Sequence, residues 1–92
     1  ELAKQVPDTA THLIIRMERV PYIDQSGLYA MEDLVLRLKQ ADVKVLLVNL
    51  TQQPRMMMEN IDIIPDLISD LEIFKDFKEA MVYIQANKNS PM

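Results

Sequence analysis

Cysteine and tryptophan are absent from this chain of 92 residues, and glycine and histidine occur once each. Without cysteine there is no disulfide, no thiolate nucleophile and no thiolate-bound metal, and nothing argues for secretion. The single histidine, His12, cannot build a histidine-based metal cluster within one chain. It also stands at the far end of its predicted strand from Ser26, so no Ser-His-Asp set forms and the chain reads as a non-enzyme. No stretch approaches the roughly 18 consecutive apolar residues that a membrane-spanning helix needs. A concentrated basic face is missing too. Ten Lys and Arg stand against 14 Asp and Glu, for a net charge of −4, and the basic residues are scattered, which disfavours nucleic acid as a partner.

What is present is an ordinary globular composition. Hydrophobic residues make up 49% of the chain, enough for one small domain over 1–92, with 88–92 as a tail. The start at Glu1, with neither methionine nor a signal pattern, reads as a piece of something longer. Residues 59–79 are acidic, carrying Asp62, Asp66, Asp70, Glu72 and Asp76 against Lys75 and Lys78. This reads first as a solvated surface and alternatively as a docking face for a basic partner.

The hydrophobic pattern predicts alternating strands and helices. Residues 1–6 read as the tail of a helix ended by Pro7. The nearly continuous apolar run at 12–17 reads as a strand buried on both faces, and 43–50 as a second. Between them, from 24 or 25 to 41, Leu28, Met31, Leu34, Val35 and Leu38 form one helical stripe. Two buried strands joined by a helix make a βαβ unit, parallel and right-handed. A short helix is predicted over 55–61, with Pro54 in its first turn. Residues 63–68 are ambiguous because Pro65 breaks either pattern. A short strand at 71–74 and a helix at 75–87 follow, the latter with Phe77, Ala80, Met81 and Ile84 on one side.

The lone glycine falls in the run Val20-Pro21-Tyr22-Ile23-Asp24-Gln25-Ser26-Gly27-Leu28, where the first strand gives way to the long helix. Gly27 is expected to permit close packing or an unusual backbone angle. Asp24 or Ser26 can cap the helix, and a hydroxyl among free N–H groups at the positive end of a helix dipole suits a phosphate. Ser26 is therefore either a phosphoacceptor or a capping serine. Asp24 reads as a cap or turn former ahead of a phosphate-handling role. Asn49, Thr51 and Gln52 end the second strand at the same sheet edge as the loop from Tyr22 to Ser26. Ligands gather at that edge in open α/β sheets, so a nucleotide or anion stays open there, although no Gly-rich phosphate loop accompanies it. Met56, Met57 and Met58 cannot all face inward, since neighbours on a helix point about 100° apart. Met57 or Met58 fills core, and an exposed methionine offers a partner contact. A phosphoryl receiver domain is a weaker rival, because Asp24 has no adjacent acidic pair for magnesium.

This order of elements around Asp24-Gln25-Ser26-Gly27-Leu28 resembles the STAS domain, a family named for sulfate transporters and anti-sigma-factor antagonists. The resemblance covers about 1–85. It rests on Leu13-Ile14-Ile15-Arg16-Met17, on the run from Val20 to Leu28, on Val45-Leu46-Leu47-Val48-Asn49-Leu50, and on Ile73-Phe74 before Phe77-Lys78-Glu79-Ala80-Met81. It implies an α/β fold with a central, mostly parallel sheet and helices packed against it. Family members usually begin with two further strands, which would lie upstream of Glu1.

The family has two large branches. Free-standing bacterial antagonists accept a phosphate on the serine before the glycine, here Ser26, and so switch binding to an anti-sigma kinase. In the other branch the domain is the cytoplasmic C-terminal part of a SulP-type anion transporter. There the serine is not always present, and the domain supports folding, assembly and regulation. Val20-Pro21-Tyr22-Ile23-Asp24, Gln53-Pro54-Arg55-Met56-Met57-Met58 and Ile73-Phe74 resemble the transporter branch more closely. This implies a non-catalytic regulatory domain on the cytoplasmic side of the cell membrane, needing no cofactor. Its implied partners are the membrane domain of the same transporter, a cytoplasmic regulatory protein or a second copy, and no nucleic acid. The binding loop would comprise Tyr22, Asp24, Gln25, Gly27, Asn49 and Thr51, and the partner surface Met56, Met57 and Met58.

Overall fold

Strand β2, Lys44–Val48, runs between β1, His12–Arg16, and β3, Ile73–Phe74, in a three-stranded sheet of order β1-β2-β3. Both pairings are parallel, with Leu13 opposite Val45 and Ile15 opposite Leu47 on one side, and Val48 opposite Phe74 on the other. The computed structural model describes residues 11–88. The expected helix tail at 1–6, the Pro7 turn and the end of the tail at 89–92 lie outside the described residues. Among the described residues the sheet is joined by three α-helices: α1, Gln25–Gln40; α2, Gln52–Asn60; and α3, Phe77–Lys88.

The apolar run of β2 is what the architecture is built on. Successive strand residues point to opposite faces, and here both faces are covered. Val45 and Leu47 join Leu28, Val35 and Leu38 of α1, Met58 of α2 and Ile63, Ile64 and Ile68 in one core. Leu46 and Val48 pack with Ala80 on the other face, with Tyr83, Ile84, Ile14 and Phe74 around them. Fully burying each such side chain contributes about 1.5–3 kcal/mol. β1 departs from the expectation of burial on both faces. His12 to Ile15 are half-buried and Arg16 is exposed, because among the described residues β1 has β2 on one flank only. Met17, just past the strand, is buried, and its N–H donates to the Val48 carbonyl at 2.9 Å.

Scarcity of glycine is met with aspartate and asparagine. Asp42, Asn49 and Asp62 have φ of 59°, 57° and 62°, a left-handed conformation that their short polar side chains tolerate. At the end of α1 the Val43 N–H donates to the Leu38 carbonyl at 2.9 Å and the Asp42 N–H to that of Lys39 at 3.0 Å. This is the Schellman closure, with Asp42 where glycine usually stands. It turns the chain straight into β2.

The second half corrects several expected boundaries. α2 begins at Gln52 rather than Arg55, with Thr51 as the preceding residue. Pro54 sits in its first turn, where a missing N–H costs nothing. The ambiguous 63–68 segment forms a wide turn, Ile63–Leu67, in which Ile64 is extended, and the Ile68 N–H closes onto the Ile63 carbonyl at 2.9 Å. The expected strand at 71–74 shrinks to Ile73–Phe74, because Asp70–Glu72 is a 3₁₀ turn held by a capping box between Ser69 and Glu72. Leu71 is left 80% exposed.

Among the described residues β3 is an edge strand, and its outward amides are already occupied. Phe74 faces β2, since its carbonyl accepts from the Asn49 N–H at 3.2 Å. The neighbouring Ile73 and Lys75 therefore point outward. Their N–H groups donate to the Asp70 carbonyl and to Glu79 Oε1, which blunts the edge against strand addition. α3 begins at Phe77 rather than Lys75. Phe77 is exposed beneath the Arg16 guanidinium, 5.0 Å from its ring centroid, instead of on the buried side. Tyr83 takes that place, its ring 5.2 Å from Phe74.

Two measurements check this description. Leu47→Ala should cost about 2–5 kcal/mol in urea unfolding, whereas Val82→Ala, at an exposed position, should stay within about 0.5 kcal/mol. Asp42→Val should cost about 1–2 kcal/mol through its left-handed backbone, while Asp42→Gly should cost markedly less.

Candidate functional site

Three parallel strands end on one edge, and the turns leaving them lie side by side there. The first turn, 17–24, carries the chain from β1 to α1. Past Met17 it has no strand partner among the described residues, and the Val20 carbonyl and both Ile23 backbone groups are met by side chains of Thr51 and Gln53. Thr51 Oγ1 donates to the Val20 carbonyl at 3.1 Å. The Gln53 side-chain amide clasps one residue twice: its Oε1 accepts from the Ile23 N–H at 2.8 Å and its Nε2 donates to the Ile23 carbonyl at 3.1 Å. The Ile23 side chain is buried in the α1 and α2 core, so the loop is fixed by backbone and side chain together.

α1 starts from this anchored residue. Asp24 is its N-cap, and its Oδ1 accepts from the Gly27 N–H at 2.8 Å. Ser26 is therefore not the cap; it lies exposed inside the first turn. Gly27 answers a close approach rather than an unusual angle, because no glycine has positive φ. A Cβ at Gly27 would lie 3.1 Å from Ile23 Cγ1 and 3.3 Å from Asp24 Oδ1. With Gly27 and Leu28 bonded to Asp24, the amides of Gln25 and Ser26 remain without intrahelical acceptors, as geometry requires at a helix start. The Ser26 hydroxyl thus sits in solvent at the positive end of a 16-residue helix, where added negative charge is favoured.

The expected site residues divide into two groups. Tyr22, Asp24, Gln25, Ser26 and Gly27 share the clasped loop with Thr51, and Gln25 Nε2 reaches the Tyr29 hydroxyl at 3.2 Å. Tyr22 and Tyr29 are 67% and 50% exposed. Asn49 belongs elsewhere on the edge. Its Nδ2 donates to Glu18 Oε1 at 3.1 Å, and Arg16 Nε donates to Glu18 Oε2, also at 3.1 Å. The Asn49 bond holds the Glu18 carboxyl below its ordinary range, assisted by Glu18's own backbone amide and by the charge of Arg16. Of the methionines, Met58 is buried, Met57 is half-buried and Met56 is 50% exposed. Gln53 and Glu18 escaped sequence reading as site residues, because nothing local marks their partners Ile23 and Asn49, 30 and 31 residues away; Arg16 joins the site only through its neighbour Glu18.

His12 lies at the opposite end of β1 and pairs with Thr11 Oγ1 at 2.9 Å, so no histidine serves Ser26 as a base. Among the described residues no group of three His, Cys, Asp or Glu is arranged to hold a metal, and no helix is long and apolar enough to cross a membrane. Two open hollows lie away from the Ser26 turn. One, of about 240 Å³, is lined by Lys39, Lys44, Leu67 and Glu72. The other, of about 440 Å³, is lined by Phe74, Lys78, Val82 and Tyr83.

The acidic stretch is partly tied down. Arg55 bridges Glu59 and Asp70 at 3.4 and 3.3 Å, and Lys44 lies 3.8 Å from Glu72.

Comparison with known proteins finds a matching family model and several solved structures of similar fold. The family model described as STAS domain matches residues 1–80. The fold is similar to the crystal structure of a sulfate transporter family protein from Wolinella succinogenes, with a TM-score of 0.85 and 20% sequence identity, over 97% of this chain and 72% of that one. A comparison with curated proteins finds no match.

Removing the cap in Asp24→Ala should cost about 1 kcal/mol of unfolding free energy, and Gly27→Val should lower the melting temperature by crowding Ile23. The Glu18 carboxyl should titrate below the usual glutamate range by NMR, and Asn49→Ala should move it back up. Any stability linked to Glu18 is present above its ordinary pKa and is lost as pH falls through its depressed folded value.

Proposed function

Because this chain belongs to the STAS domain family, we propose that it is a non-catalytic regulatory and interaction domain of a SulP-type anion transporter, placed on the cytoplasmic side of the cell membrane. The observation that carries the reading is the family match together with a serine turn held rigidly at the carboxyl edge of the sheet, without a catalytic base beside it. The structural likeness to a sulfate transporter family protein supports the transporter branch. The mechanism is docking. Tyr22, Gln25, Ser26 and Tyr29 present one exposed face, and Met56 presents an apolar contact beyond the Gln53 clasp. The partner in this reading is the membrane domain of the same transporter, with a cytoplasmic regulatory protein or a second copy as further partners. No cofactor takes part.

A second reading has its own support. The Ser26 hydroxyl is exposed, and Asp24, not Ser26, caps the helix. A phosphate there would add close to two negative charges and three acceptor oxygens at a helix start. That suits a soluble anti-sigma-factor antagonist switched by phosphorylation of Ser26.

The complete coding frame separates the two. The transporter reading expects a series of apolar spans, each of about 20 residues, on the N-terminal side; a short free-standing frame overturns it in favour of the antagonist. Incubating the domain and its Ser26→Ala variant with labelled ATP and a lysate of the source cells tests the switch. Labelling of the parent alone supports it, and equal labelling of both removes it.

A further inference from the structure

We propose that Gln53 couples the Ser26 turn to the methionine face of α2, so that charge placed on Ser26 is felt at Met56 and Met57. The inference builds on the reading of this edge as a docking surface, but its test uses the free chain, so failure of the coupling and failure of that reading are told apart.

A continuous line of contacts runs from Ser26 to α2. Ser26 stands between Asp24 and Gly27, the two residues joined by the 2.8 Å cap bond. A negative group on Ser26 repels the Asp24 carboxylate, which holds the Gly27 amide beside it. The cap has little room to adjust. Gly27 already lies so close to Ile23 that a Cβ would sit 3.1 Å from Cγ1. A shift of the cap therefore moves Ile23. Both backbone polar groups of Ile23 are held by Gln53. Their bonds are partly buried, so breaking the clasp would strand both polar groups without partners. The lower-cost response is for Gln53 to follow Ile23.

Gln53 lies three and four residues before Met56 and Met57, which places all three on one side of α2. Met56 is half exposed and Met57 packs against the core. Motion at Gln53 thus reaches both a solvent-facing and a core-facing methionine. The residue type matters. An amide offers one acceptor and one donor in a single plane, matching the N–H and C=O of one backbone residue. Glutamate keeps the acceptor and sets a carboxylate against the Ile23 carbonyl. Methionine keeps the length and removes both bonds. Gln53 is a positioning residue here, not a ligand.

The test is methyl NMR of the 92-residue chain labelled at methionine and leucine methyls. Ser26→Asp should shift the Met56 and Met57 methyl signals in the parent. The same substitution should leave them in place in a Gln53→Met background, with the methyls of Leu46 on the far face of β2 unmoved throughout. Gln53→Glu repeats the comparison if Gln53→Met does not fold. A Ser26→Asp change that leaves the methionines unmoved in the parent overturns the coupling, as does one that moves them equally without Gln53.

Discussion

Burial of β2 on both faces is the constraint from which the rest of this domain follows. Val45 and Leu47 require a layer of helix on one side, and Leu46 and Val48 require another. A strand covered twice pairs best with parallel neighbours, whose connections must cross over a face. Those crossovers are α1 and the α2 segment with its following turns. Parallel pairing in turn brings the ends of all three strands to one edge. The Ser26 turn, the Thr51–Gln53 turn and the start of α3 are neighbours for that reason, although they are distant in the chain.

Polar residues then do the finishing that glycine and tight turns do elsewhere. Asp42, Asn49 and Asp62 take left-handed backbone, and Asp24, Ser69 and Asp76 accept from the amides of their own helix starts. Glu72 and Glu79 reach back to the N–H groups of Ser69 and Lys75. Much of the chain's acidity is thus spent on caps, which weakens any picture of residues 59–79 as an uncommitted acidic face. The clasp by Gln53 belongs to the same economy. A loop with no ladder of its own takes its hydrogen bonds from a side chain of α2, and that fixes the carboxyl edge.

How much of this could be read beforehand depended on range. The run from Val43 to Leu50 and the stripe Leu28, Val35, Leu38 carry their burial in their periodicity, so β2 and α1 were legible. Asp24 was legible as a cap, because capping is a contact across three residues. Ser69 and Asp76 were equally open to reading, each with a glutamate three positions on, and would have placed the 3₁₀ turn and the start of α3 correctly. Gln53 was not legible, since its meaning lies in a backbone 30 residues away. Phe77 misled for a related reason: its helical face suggested core, but the end of β1 offers it Arg16 instead.

The central claim is that the Ser26 turn is a fixed part of the carboxyl edge and not a loose loop. Native-state hydrogen exchange resolved by residue addresses this directly. The amides of Leu46, Leu47 and Val48 should exchange only through global opening. The Ile23 amide, held by Gln53, and the Gly27 amide, held by Asp24, should also be strongly slowed, and the neighbouring Tyr22 amide, which has no acceptor among the described residues, should serve as the fast reference. Exchange of Ile23 and Gly27 as fast as Tyr22, beside a protected β2, would contradict the account.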